Sequence, residues 1–207
     1  MQVDYQLTTK ERVKTRLGIT STQWDGFFDA LIYSTTSRIE QMAGRRFKET
    51  DFVELYDGSD VYGTPLTALI LNNAPVTESP ITLEYKAGNN SSPSWTAYTV
   101  NDFDIDEVAG VIHPNFTFPR GKQNIRATYT AGYVISFTGS YQVNGTHTLP
   151  FELTEVCEEV VTRLFKKRDS EGRSSESFQE SSVTWNENVF TPENIATIKN
   201  YRRVGFI

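Results

Sequence analysis

One cysteine stands in 207 residues, so Cys157 has no partner for an intrachain disulfide. Histidine is almost as scarce. His113 and His147 are the only two, and neither neighbours the cysteine or a second histidine, so the short-spaced ligand sets of metal sites are missing. No nucleophile-elbow sequence occurs, which removes the common starting point of a Ser-His-Asp triad. No apolar run approaches the ~18 residues of a membrane span. The opening Met1-Gln-Val-Asp-Tyr-Gln has no basic stretch followed by an apolar core, so it does not read as a signal peptide. The expectation is a protein that is intracellular where it is made. Basic charge is not in excess either: 20 Lys and Arg face 26 Asp and Glu, a net charge of −6. Generic adhesion to nucleic acid or anionic lipid is therefore not the default.

Aromatic residues make up 13% of the chain, which favours ordered structure despite a polar mean hydropathy of −0.43. The length suits one large domain or two small ones. Charge is unevenly spread. Residues 1–50 carry 8 basic and 6 acidic groups, 51–149 carry 4 and 10, and 150–207 carry 8 and 10. The acidity belongs to the middle.

Periodicity divides the chain the same way. Thr8 and Glu11 fit a capping box for a first helix that stops at Gly18. Thr20 and Gln23 fit a second box, with Ile19 and Trp24 as its staple. Trp24, Phe27, Phe28, Leu31, Ile32, Thr35, Ile39 and Met42 then recur at helical spacing, predicting a helix over 21–43 that ends at Gly44. From residue 51 the runs shorten. Strands are expected at 52–56, 68–71, 81–85, 96–100 and 124–129, separated by turn residues, as in a small sandwich. Asn144-Gly145 predicts a hairpin between 140–143 and 146–149. Pro150 suits the first position of a helix striped by Leu153, Val156, Cys157, Val160, Val161, Leu164 and Phe165. A Ser/Glu-rich loop over 169–182, a strand at 182–185 and a final helix burying Ile195, Ile198 and Tyr201 complete the chain. Thr191 and Pro192 cap that last helix.

Several residues invite a chemical reading. Asp102, Asp104 and Asp106 hold positions 1, 3 and 5 of a calcium loop, but Glu107 stands where glycine is needed and His113 where a bidentate Glu is needed. A strand with Phe103 and Ile105 inward explains them better. Cys157 lies in an apolar stripe and reads as a small core residue. Arg45-Arg46 suits helix carbonyls or carboxylates as well as phosphate. No catalytic, metal or cofactor-binding residue emerges, and the chain is expected not to be an enzyme. The tail differs. Arg202 and Arg203 with Val204, Phe206 and Ile207 combine charge with apolar anchors just past the last helix, a composition that suits a partner's groove.

The order of these motifs resembles the head–tail connector (adaptor, or head completion) proteins of tailed bacteriophages. The resemblance rests on a capped helix ending Gly44-Arg45-Arg46-Phe47, a strand ending Thr128-Tyr-Thr-Ala-Gly-Tyr133, and Leu149-Pro150 opening a helix. Ser175-x-Ser177, Ser182-Val-Thr-Trp185 and a final Tyr201-Arg202-Arg203 complete it. It covers the two helical ends, about half the chain. It implies an α+β fold in which 1–50 and 149–207 form a helical bundle and 51–148 an inserted β-rich subdomain with a hairpin at 134–148. It implies a virion structural protein of the neck, assembled in the host cytoplasm, forming a dodecameric ring of neighbouring adaptor subunits on the portal protein. A stopper or tail-completion protein would follow. Double-stranded DNA would pass through the lumen without sequence-specific binding, and no membrane or cofactor is involved. The residues carried over for portal binding are Tyr201, Arg202, Arg203, Val204, Phe206 and Ile207. Two alternatives stay open: another neck component, such as a stopper or tail-completion protein, or a carbohydrate-binding or adhesion module on the β subdomain.

Overall fold

The computed structural model describes residues 5–59, 66–89, 92–138, 142–143, 147–168, 175–178, 181–184 and 189–202. Helices occupy both ends of the chain and antiparallel strands are inserted between them, an α+β fold. Two compact units emerge. A helical unit combines the residues up to Arg45 with those from Val134 to Arg202, and a β unit runs from Arg46 to Tyr133.

In the helical unit, α1 (Lys10–Leu17), α2 (Asp25–Ala43), α3 (Phe151–Lys167) and α4 (Pro192–Asn200) pack together, with α1 and α4 each meeting both α2 and α3. Gly18 and Gly44 end the first two helices in the left-handed conformation, at φ 70° and 68°, where an L side chain is strained. Phe28, Ile32 and Ile39 of α2 close on Leu153, Val156, Val160, Val161 and Phe165 of α3. The rings of Phe28 and Phe165 lie 4.7 Å apart. Phe27, expected inside, is 39% exposed; Thr36 and Ala43 are buried in the stripe as well. In α4 Ile198 is fully buried beside Asn194, whereas Ile195 and Tyr201 are half-buried.

Three expected starts move. The cap of α1 is Thr9, whose hydroxyl accepts from Arg12 N, because the Thr8 hydroxyl instead donates to Glu158 at 3.0 Å. The Thr20 box does not form, and α2 begins after Trp24 without a side-chain cap. Pro150 is the cap residue of α3 rather than its first turn. Thr191 caps α4 and Pro192 opens it as expected, and Asn194 completes a capping box.

The β unit is a sandwich. One sheet orders β1 (Thr50–Tyr56), β7 (Ile125–Ala131), β3 (Val76–Asn89) and β4 (Ser92–Ala97). The other orders β2 (Leu69–Ile70), β6 (Val111–Pro114) and β5 (Phe103–Asp106), all antiparallel. Leu69, Leu71, Phe103 and Ile112 meet Leu83, Ile125, Ala127 and Tyr129 in one core. Along β7 buried and half-buried residues alternate without a break, the period-2 pattern of a strand with one face inside. Gly132 follows at φ 119°, and a Cβ there would fall 2.8 Å from Glu49 N, so only glycine fits this close approach.

The segment from 134 to 148 groups with the helices, not with the strands. Its two short described strands, β8 (Phe137–Thr138) and β9 (Gln142–Val143), pair with each other, whereas Gln142 and Val143 were expected to pair forward with 146–149. Thr148 N donates to Val134 O instead. Packing explains the change: the Phe137 ring lies 4.9 Å from His147, which reaches Phe151 at the start of α3. Asn144-Gly145 lies outside the described residues. Between α3 and α4, the strand expected at 182–185 is β11 (Ser181–Thr184), and it pairs with β10 (Ser175–Phe178), which lies in the stretch expected as a loop.

Candidate partner-binding surfaces

The residues weighed for chemistry are spent on structure. Asp104 and Asp106 point outward from β5 while Phe103 is buried, the strand arrangement. Asp102 accepts from Thr99 N and Asp106 from Ala109 N, so both carboxylates brace turns. His113 is exposed on β6 opposite Asp104. The His147 Nδ1 accepts from Ser136 N at 3.1 Å, and burial holds its pKa below the usual value. Burial pushes the Cys157 thiol up to about 12, which keeps it protonated and unreactive. No group of three potential metal ligands occurs among the described residues.

Two carboxylates gather several partners, the buried Glu158 in the helical unit and the half-buried Glu54 in the β unit. In the helical unit Glu158 meets Arg12 Nε at 2.5 Å and Thr8 Oγ1 at 3.0 Å, tying the start of the chain to α3. In the β unit Glu54 accepts from Tyr56 Oη and Tyr129 Oη, from Asn72 N and from Asn73 Nδ2. Burial, with hydrogen bonding to that carboxylate, raises both tyrosine pKa values. The phenols stay protonated and donate. This pins the Asn72–Asn73 turn onto the sheet.

The last helix stops where expected. Helix α4 ends at Asn200, Tyr201 caps it, and the Tyr201 hydroxyl faces Glu152 of α3 at 3.4 Å. Arg202 is exposed beyond the cap. Arg203, Val204, Phe206 and Ile207 lie outside the described residues.

A second surface was not singled out from sequence. β1 forms one edge of its sheet, paired only with β7 among the described strands. Phe52, Glu54 and Tyr56 turn inward; Asp51, Val53 and Leu55 turn out, and Val53 is 66% and Leu55 48% exposed. The alternation in Thr50-Asp-Phe-Val-Glu-Leu-Tyr56 carries this information, but only the edge position makes it a surface. Next to it, Arg126 on β7 pairs with Glu84 through two hydrogen bonds of 2.5 and 2.8 Å. Its guanidinium lies 4.5 Å from the centre of the Trp95 ring.

Comparison with known proteins places the fold. No family model matches the chain, and no curated protein matches it. A solved structure does: a chain described as "Neck of empty GTA particle computed with C6 symmetry" aligns over 88% of this chain and 81% of its own, with a TM-score of 0.51 and 13% identity. At that identity the likeness is one of fold.

Proposed function

We propose that this chain is a structural protein of the neck of a phage-like particle, an adaptor that binds the portal ring and links the capsid to the tail. One observation carries the proposal: the fold likeness runs through most of both chains, and the matching chain belongs to the neck of a GTA (gene transfer agent) particle. The motif order in the helical ends supports the adaptor role within the neck. The chain works without catalysis or a cofactor. Its partners are copies of itself in a ring, the portal on one side and a stopper or tail-completion protein on the other. It resides in the virion neck and assembles in the host cytoplasm. A net charge of −6 suits a channel through which DNA passes without adhering, since phosphate binding depends on Lys and Arg.

The carbohydrate-binding alternative needs exposed aromatic faces on a sheet. Here the Trp95 face is taken by Arg126, and Tyr98 stacks on Phe116 at 4.0 Å. The deciding experiment is electron microscopy of portal rings mixed with the protein. The expected result is an added ring layer at one end of the portal. Portal rings that stay bare under conditions where both proteins are folded would overturn the adaptor role.

A further inference from the structure

The turn before β7 carries the unspent cations of the β unit. Residues 46–133 hold 6 basic and 11 acidic groups. Arg126 is paired with Glu84, and Arg46, Lys48 and Lys86 have contacts of their own. Among the described residues only Arg120 and Lys122 of this set make no side-chain hydrogen bond or ion pair, and both are exposed. The backbone that presents them is braced. Gly58 N donates to Gly121 O at 2.9 Å, Asn124 Nδ2 to Pro119 O at 2.8 Å and Gln123 N to Asp57 Oδ1 at 2.7 Å. A turn already held in place loses less freedom when a partner docks on it.

Carboxylates without partners gather at the other end of the sandwich. From Ile125, just past the basic turn, β7 runs seven residues to Ala131, roughly 20 Å at 3.4 Å per step. There it pairs with Val76, whose N–H donates to Glu107 O at 2.8 Å. Glu107 is exposed in the turn after β5, and Asp104 and Asp106 are exposed on β5, an edge among the described strands. Asp104 and Glu107 make no side-chain bond among the described residues, and Asp106 spends one oxygen on Ala109 N. The distance keeps a copy from joining Glu107 to its own basic turn. The excess of acid across the unit repels nucleic acid, whereas a second copy offers the missing carboxylates. Resting on the neck-ring reading, we propose that Arg120 and Lys122 of one copy dock on Asp104, Asp106 and Glu107 of the next. Two different patches joined in this way make a head-to-tail contact, which closes a ring when repeated under rotation. Exposed charge pairs add little affinity. What they set is register and choice of partner.

The test uses full-length protein, half of it grown on heavy nitrogen, concentrated at low salt without portal. A carbodiimide is added, which joins an amine to a carboxylate only where the two touch, and the linked peptides are read by mass spectrometry. The expected product links Lys122 to Asp104, Asp106 or Glu107 across one light and one heavy chain. Its yield should fall at least about tenfold in 1 M salt, where the screening length is about 3 Å. A chain with Arg120→Glu and Lys122→Glu, and another with Asp104→Lys and Glu107→Lys, should each lose the link alone. An equal mixture of the two should regain links between the reversed positions. All four positions are exposed, and thermal unfolding checks that both variants keep the fold. Absence of a Lys122 link in the wild type overturns the proposal, as do links confined to single chains and a mixture that stays unlinked. So does duplex DNA that shields Lys122 from the reagent while copies fail to link. Portal rings that gain a layer from either reversed chain as readily as from wild type leave the neck function standing and remove this contact alone. Bare portal rings with the link between copies present do the reverse.

Discussion

Glu158 in the helical unit and Glu54 in the β unit are held in different ways. Glu158 sits against a cation, Arg12, with both side chains about nine-tenths buried. Glu54 is half-buried and is held by two phenols, a side-chain amide and a backbone N–H. A buried ion pair is costly to halve, because the remaining charge loses its compensation in a poorly solvating interior. A carboxylate held by several neutral donors spreads its stabilisation, so losing one donor removes a fraction. The first arrangement leans on charge compensation, and the second spreads its stabilisation over neutral donors.

That contrast breaks first at Glu158. Glu158→Met should cost about 3–5 kcal/mol, as for other halved buried pairs, and hydrogen exchange should show α1 and α3 loosening while β1 and β7 keep their protection. Equal loss in both units would show that they share their stability. Next comes backbone geometry in the β unit. Gly132→Val forces an L side chain into φ 119° against Glu49, and strain of this kind costs about 1–3 kcal/mol. A wild-type denaturation midpoint would mean the backbone there relaxes freely.

The distributed network predicts a smaller effect. Tyr129→Phe removes one of four donors to Glu54 and should cost about 1 kcal/mol, measured by urea unfolding; a loss as large as that of Glu158→Met would erase the distinction. Smaller still, truncation after Tyr201 removes the exposed Arg202 and no residue of the expected core, and should shift stability by no more than about 0.5 kcal/mol, while portal binding is lost. An unchanged assembly would move the contact away from the tail.

The smallest effect is in the pH dependence. His147 titrates below the ordinary value near 6.5 because burial disfavours its charged form, so the unfolded chain binds a proton that the folded chain refuses. Its contribution is present above the unfolded value and is lost as pH falls through that value towards the folded one. Comparing urea midpoints at pH 7 and 5.5 in wild type and His147→Gln should show a shallower decline in the variant.

The two units were also unequally legible. The helices α2, α3 and α4 were visible as apolar residues recurring every three to four positions, stopped by Gly44 or opened by Pro192. The tail was visible as a change of composition after Tyr201. In the β unit the short runs announced strands, and the alternation in Phe103-Asp-Ile-Asp106 marked Asp104 and Asp106 as outward, yet β6 was missed and β4 was placed several residues late. β6 spans only four residues and ends in a proline, and β4 opens on Ser92-Pro-Ser94, residues that read as a turn.

What the residues alone determined is local: period 3.6 against period 2, the left-handed stops at Gly18 and Gly44, the scarcity of cysteine and histidine, and a basic-apolar tail past the last helix. What only the tertiary structure decided involves residues far apart in the chain. Thr8 was released from its capping role by Glu158, 150 residues away. Phe137 and Thr138 became the partners of Val143 and Gln142, with the Phe137 ring packed near His147. The order β1-β7-β3-β4 made Thr50–Tyr56 an edge, which turned Val53 and Leu55 from one face of a strand into an open surface. Local periodicity depends on backbone geometry that every residue carries with it, whereas pairing and edge position depend on which distant partner wins, and a single strand does not encode its neighbours.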